Sequence, residues 1–166
     1  MIQSIIDFFS QLDPRWATFW LSMIPVTELR AAIPIALGAY KLSVAETIFF
    51  AVIGDIIPAI FILFGFEKLN NYLAEKLGWY KKFQDWLFDR TRRKFGKKYH
   101  KYGWIGLMIF VSIPLPGTGA WTGSIAAFLF GFEKKRALLF IFLGVILAAI
   151  FVTLISLGVI NFNNIL

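Results

Sequence analysis

Apolar residues run through this chain in blocks of two lengths. Two blocks are long, VAETIFFAVIGDIIPAIFILFGF at about 44–66 and ALLFIFLGVILAAIFVTLISLGVI at about 137–160. Each exceeds the ~20 apolar residues needed to cross about 30 Å of hydrocarbon, so each predicts a membrane-spanning helix. The second carries no charge, whereas the first holds Asp55 and Pro58 near its middle. Four further blocks are short. Residues 16–24 and 31–40 flank PVTELR at 25–30, and residues 104–113 and 120–132 flank PLPGTG at 114–119. At ~1.5 Å per residue each short block covers roughly 14–20 Å, half a bilayer. Pro removes a backbone donor and Gly permits unusual φ and ψ, so each interruption predicts a re-entrant helical hairpin. Irregular backbone is tolerated at membrane depth only where protein or a wet cavity covers it. The alternative is a pair of kinked full spans, giving four crossings.

Charge separates these topologies. The segment 67–101 holds eleven Lys/Arg against four acids, an excess that equals the whole net charge of +7. A second basic cluster is Lys134-Lys135-Arg136. Four crossings put the two clusters on opposite sides. Two hairpins and two spans put them on the same side, as the positive-inside rule favours. The expected plan is one membrane domain: an interfacial helix at 1–14 stopped by Pro14, hairpin plus span at 15–66, a basic amphipathic cytoplasmic linker at 67–101, and hairpin plus span at 102–160. The linker has stripes of Leu69, Leu73, Leu77 and of Trp79, Phe83, Trp86, Leu87 among its basic residues, a pattern that lies in the headgroup layer. Its partner is then the anionic leaflet rather than nucleic acid.

Composition agrees. Hydrophobic residues make up 58% of the 166, charged residues only 16%, and 19 residues are Phe. Soluble domains carry about 45–50% apolar and about 25% charged residues, so a multi-pass protein of the cell membrane is expected. There is no cysteine. No Ser–His–Asp arrangement, P-loop or metal-ligand spacing occurs, so neither an enzyme nor a cofactor is expected and any driving force comes from an ion gradient or the substrate. His100 sits in the basic stretch and reads as solvated or interfacial.

The two halves also match each other. Gly54 and Gly144 lie 90 residues apart, and at that offset Phe50 matches Phe140, Ile56 Ile146, Ala59 Ala149, Ile60 Ile150 and Phe61 Phe151. With a one-residue gap, Ile24-Pro25 matches Ile113-Pro114. Hairpin then span, in opposite orientations, makes an inverted repeat, and the paired broken segments point to a binding site.

Three ionisable residues fall at membrane depth, where charge is costly and commonly functional. In the first break, Arg30 could grip an anion through its planar guanidinium and Glu28 could bind and release a proton. The alternative is that the two form a structural pair. Asp55 reads either as a second proton carrier or as a neutral acid bonded to hairpin backbone. In the second break, Pro114, Pro116, Gly117, Thr118, Gly119 and Thr122 offer free backbone N–H groups and a helix start, a seat for an anion or simply a tight turn. Trp121 reads as packing for this loop.

At these breaks the chain resembles a known family. PVTELRAAIPIALG at 25–38 and KYGWIGLMIFVSIPLPGTGAWTG at 101–123 are similar to signatures of the small multidrug export family, a distant relative of the DedA-like (VTT-domain) membrane proteins. The resemblance covers nearly the whole chain. It implies two inverted repeats of re-entrant loop plus transmembrane helix, with functional residues at Glu28, Arg30, Pro114, Pro116, Gly117, Thr118 and Gly119. It also implies a substrate such as a lipid-linked phosphate, since several DedA-like proteins are linked to flipping polyprenyl phosphate. In this sequence Asp55 replaces what is more often Asn, and of the DedA-like arginine pair only Arg136 is a nearby candidate. The leading expectation is therefore a transporter or flippase for an anionic, phosphate-bearing lipid, with proton coupling and a homodimer both compatible. A cation or drug exporter using Glu28 and Asp55 is one rival, and a non-transporting scaffold with a basic lipid-binding surface is another.

Overall fold

The computed structural model describes residues 12–65, 76, 78, 103–115 and 117–163, with side chains as far as residue 160. The expected interfacial helix up to residue 11, nearly all of the basic linker with His100, and Pro116 lie outside the described residues. Every regular element among the described residues is helical: α1 (Pro14–Met23), α2 (Glu28–Gly38), α3 (Val44–Ile60), α4 (Gly103–Ser112), α5 (Ala120–Leu129) and α6 (Lys134–Asn163). The segments Val44–Gly65 and Lys134–Ile160 are long and apolar enough to cross a membrane.

Several boundaries move from their expected places for identifiable reasons. Asp13-Pro14 opens a helix. The Asp13 side chain accepts from the Arg15 N–H at 2.9 Å and Pro14 takes the first helical position, where its missing N–H costs nothing. The first break shrinks to residues 24–27, because the Glu28 N–H already bonds Ile24 O at 2.9 Å and the Ala31 N–H bonds Thr27 O at 3.1 Å. Glu28 and Arg30 therefore stand in the first turn of α2 rather than in the break. Pro58 lies inside α3 and cannot donate, and the chain then widens into a π turn over Phe61–Gly65. α6 begins three residues before its apolar run, with Arg136 paired to Glu133 at 3.1 Å in the first turn.

Apolar surface faces outward along both long helices. Only 44% and 39% of their most apolar windows are buried, and Phe49, Phe61, Leu139, Phe142, Leu147, Phe151 and Leu154 stand exposed. A soluble protein would bury these, whereas lipid accepts them. Lipid tails give helices no hydrophobic reason to associate, so close packing of small residues does that work. The interior accordingly holds Ala17, Ala32, Ala36, Ala51, Ala59, Ala127, Ala137 and Ala149, all fully buried, around Leu29, Ile33, Val111, Ile141 and Val145.

The two halves repeat the same contacts. A Cβ at Gly54 of α3 would strike Phe19 O and come within 2.9 Å of Ser22 Cβ on α1. At Gly144 of α6 it would meet Met108 O at 2.7 Å and Val111 Cβ at 2.8 Å on α4. Each long helix is thus pressed against the first short helix of its own half through a glycine. Trp16 packs on Phe50 with ring centroids 5.8 Å apart, and Trp104 on Phe140 at 5.7 Å. α2 packs on α1, α3 and α6, and α5 packs on α3 and α6, so the second short helix of each half reaches across to the other.

Candidate functional site at the joined breaks

Each break leaves carbonyls at the end of a short helix without helical donors. Both halves answer with a threonine. Thr27 donates from Oγ1 to Leu21 O at 2.5 Å and lies 3.4 Å from Ile24 O. Thr118 Oγ1 lies 2.6 Å from Ile113 O and 2.8 Å from Leu115 O. The opposite half adds further donors. Arg30 Nη2 donates to Ile113 O at 3.1 Å and to Thr118 O at 2.8 Å, with Thr118 Oγ1 at 3.1 Å. In return the Trp121 indole N–H donates to Met23 O at 3.1 Å. The two breaks are interlocked by side chains that sequence separation puts some 90 residues apart.

Glu28 is the buried charge at this junction, only 4% exposed. Its carboxylate accepts from Arg30 Nη1 and lies close to the backbone N–H of Trp121 at the start of α5. That places a negative group at a helix N-terminus, where unpaired N–H groups favour it. Gly119 is required by this arrangement, since a Cβ there would fall on the Glu28 carboxylate. Thr122 steadies the same turn, its Oγ1 accepting from the Gly119 N–H at 3.0 Å. Gly117 has φ +82, a left-handed conformation open to glycine without penalty. Glu28 itself has φ +45, which costs a non-glycine residue on the order of 1–3 kcal/mol and is found where surrounding structure holds a residue in place for use.

A cavity of about 470 Å³ opens between the breaks. Glu28, Arg30, Pro114 and Gly117 line it, together with apolar Pro25 and Val26. Thr118 and Gly119 touch the lining charges rather than the cavity. Asp55 is also outside the lining. It is 1% exposed in the middle of α3, its Oδ1 has no hydrogen-bond partner, and it lies close enough to Glu28 and Arg30 to feel both charges. The described residues contain no cluster of His, Cys, Asp or Glu suited to a metal ion.

A family model described as Putative small multi-drug export protein matches residues 28–151, about three quarters of the chain. The chain belongs to that family. The family match together with the two long apolar helices makes it a membrane protein related to exporters. Neither curated proteins nor solved structures give a match.

Trp121 is the residue that sequence reasoning undervalued. In an apolar stretch it reads as packing, yet its indole N–H fastens the first break. The available signal was its place just after a Gly-rich break, at a helix start, because a buried indole N–H usually finds an acceptor.

Proposed function

We propose that this membrane protein exports small cationic or amphipathic solutes in exchange for protons, with the joined breaks as its site. The two halves act as an inverted repeat of re-entrant hairpin plus span, and alternating access comes from moving one hairpin against the other. The observation that carries the reading is the charge of the buried layer. Glu28, Asp55 and Arg30 together leave one negative charge when both acids are ionised, and Arg30 is already engaged by Glu28 and the second break. One proton or one monovalent cation balances this layer, whereas an anion would leave it further from neutrality. Proton and cation therefore compete for the same compensation, which is the requirement for exchange. The apolar walls of the cavity suit a solute with a hydrophobic body, and the family's description as an export protein agrees.

The test is uptake into liposomes holding the purified protein, driven by an imposed pH gradient and followed with a fluorescent lipophilic cation. Wild-type protein is expected to accumulate the dye and Glu28→Gln to abolish accumulation. Dye uptake that survives Glu28→Gln in folded protein would sink the reading.

One observation favours a second reading, transport of an anionic, phosphate-bearing lipid such as a polyprenyl phosphate. The Glu28 carboxylate already rests as an anion on Arg30 and on the start of α5. A phosphate could take that seat once Glu28 is protonated and withdrawn. Transbilayer movement of a short polyprenyl phosphate in the same liposomes, lost in Arg30→Ala, would put this reading first.

A further inference from the structure

The Arg30 guanidinium sits among four oxygens drawn from both breaks. They are a carboxylate oxygen of Glu28, the carbonyls of Ile113 and Thr118, and the Thr118 hydroxyl. One formal negative charge with three neutral oxygen dipoles is the composition of a site for a monovalent organic cation. The Thr118 carbonyl precedes α5 and takes its donor from Arg30, whereas the Ile113 carbonyl, just past α4, also accepts the Leu115 N–H at 2.9 Å. The side chain of Glu28 is itself 5% exposed, so the charge at the centre of the shell is shielded from water.

Arg30 fills this shell imperfectly. Its Nη2 has two hydrogens and faces three oxygens. Its Nε is buried with no hydrogen-bond partner among the described residues. A guanidinium tied to its own helix cannot turn to place all five donors, and an unpaired buried donor counts against the bound state. An untethered cation has no such restriction. Glu28 and Arg30 line the cavity whereas Ile113 and Thr118 do not, so an incoming solute meets the two charges first and reaches the other oxygens as the guanidinium moves aside into the cavity.

We infer that this oxygen shell is the binding site for the cationic group of the substrate, that Arg30 occupies it as a tethered surrogate in the free protein, and that the substrates are cations with several N–H donors. Guanidinium, amidinium and primary ammonium compounds fit that class and quaternary ammonium compounds do not. The inference rests on the cation-exchange reading above and narrows it. A quaternary ammonium carries charge without donors, and it would take the place of Arg30 while leaving the Thr118 carbonyl and one Glu28 carboxylate oxygen without the donors that Arg30 gives them. Sites built to hydrogen-bond a ligand reject analogues lacking the donor by factors that reach ~10⁴–10⁵. A discrimination of at least ~100-fold, short of that ceiling, is expected here, because Ile113 O keeps the Leu115 N–H whichever cation binds.

The probes are phenylguanidinium and phenyltrimethylammonium, two monovalent cations on the same ring. Their binding to the purified full chain in detergent is measured by calorimetry, and their movement into proteoliposomes under a pH gradient is measured in parallel. Phenylguanidinium is expected to bind at least ~100-fold more tightly and to be the one transported. Thr118→Val, which removes one acceptor, should shrink the ratio about tenfold, and Thr118→Ser should keep it. Equal affinity and equal flux for the two cations would overturn the shell as the site while leaving cation exchange standing. Absence of binding and flux for both would overturn the shell and the exchange reading together. Because Thr118→Val could disturb folding, the wild-type ratio alone decides.

Discussion

The two breaks occupy equivalent places in the two halves and have become opposites. The first spans four residues, 24–27, and delivers charge through Glu28 and Arg30 in the turn that follows. The second spans seven, 113–119, carries no charged residue, and delivers backbone: carbonyls at Ile113 and Thr118, and a helix start at Ala120. Each alone would be a buried defect. A lone charged pair would lack acceptors for the rest of its guanidinium, and a lone broken helix would strand carbonyls in an apolar layer. Joined, each satisfies the other. The lesson is that the two halves share their packing and divide the chemistry. The glycine seats at Gly54 and Gly144 stayed alike because helix packing tolerates nothing larger. The breaks diverged because one set of donors needs one set of acceptors, not a second set of donors.

The strongest way to break this comparison is to remove the charge from the first half. Arg30→Ala leaves the Glu28 carboxylate, 5% exposed, without its counter-ion and the Thr118 carbonyl without its donor. Removing one partner of a buried pair destabilises by about 3–5 kcal/mol, so the unfolding midpoint of Arg30→Ala in detergent should fall far below wild type. Adding Glu28→Gln to it should restore a substantial part, since the stranded charge is gone. Additive losses in the double variant would mean that the pair is not a unit.

A smaller effect separates the glycine seats. Alanine at Gly54 puts a methyl into the Phe19 backbone carbonyl, and alanine at Gly144 puts one 2.7 Å from Met108 O. Overpacking of this kind costs about 1–3 kcal/mol, with Gly54→Ala the worse because its nearest backbone carbonyl is closer. Detergent unfolding of the two variants measures the order directly. A neutral Gly54→Ala would show that α1 and α3 are not pressed together as described.

These seats show what the sequence could disclose. The 90-residue offset between Gly54 and Gly144 was readable because a packing demand leaves the same small residue in both halves. The two long helices were readable from length and hydropathy, since both follow from local composition. What could not be read is anything that crosses between halves. Nothing near Gly119 says that a glycine is needed there, because the obstructing group is the Glu28 carboxylate from the other half. The start of α2 was misplaced for a related reason. Charged residues beside Pro25 resemble loop, yet Glu28 and Arg30 can stand in a helix once they pair with each other and the second break bonds the guanidinium.

The smallest effect tests the return bond. Trp121→Phe keeps an aromatic ring at the start of α5 and removes only the indole donor to Met23 O. One neutral hydrogen bond contributes about 0.5–1.5 kcal/mol, with the upper end expected because Met23 O then loses a donor in a partly buried place. The loss should therefore be a fraction of that in Arg30→Ala. It should also leave the guanidinium on its four oxygens, so cation binding should change little while the unfolding midpoint drops. Two outcomes would count against the division of labour drawn here. A loss as large as that of Arg30→Ala would make the indole an equal partner of the ion pair. A large fall in cation affinity without a stability change would move Trp121 from fastening the breaks to touching the ligand. The asymmetry between these two cross-bonds, one charged and one neutral, follows from which half kept the charge.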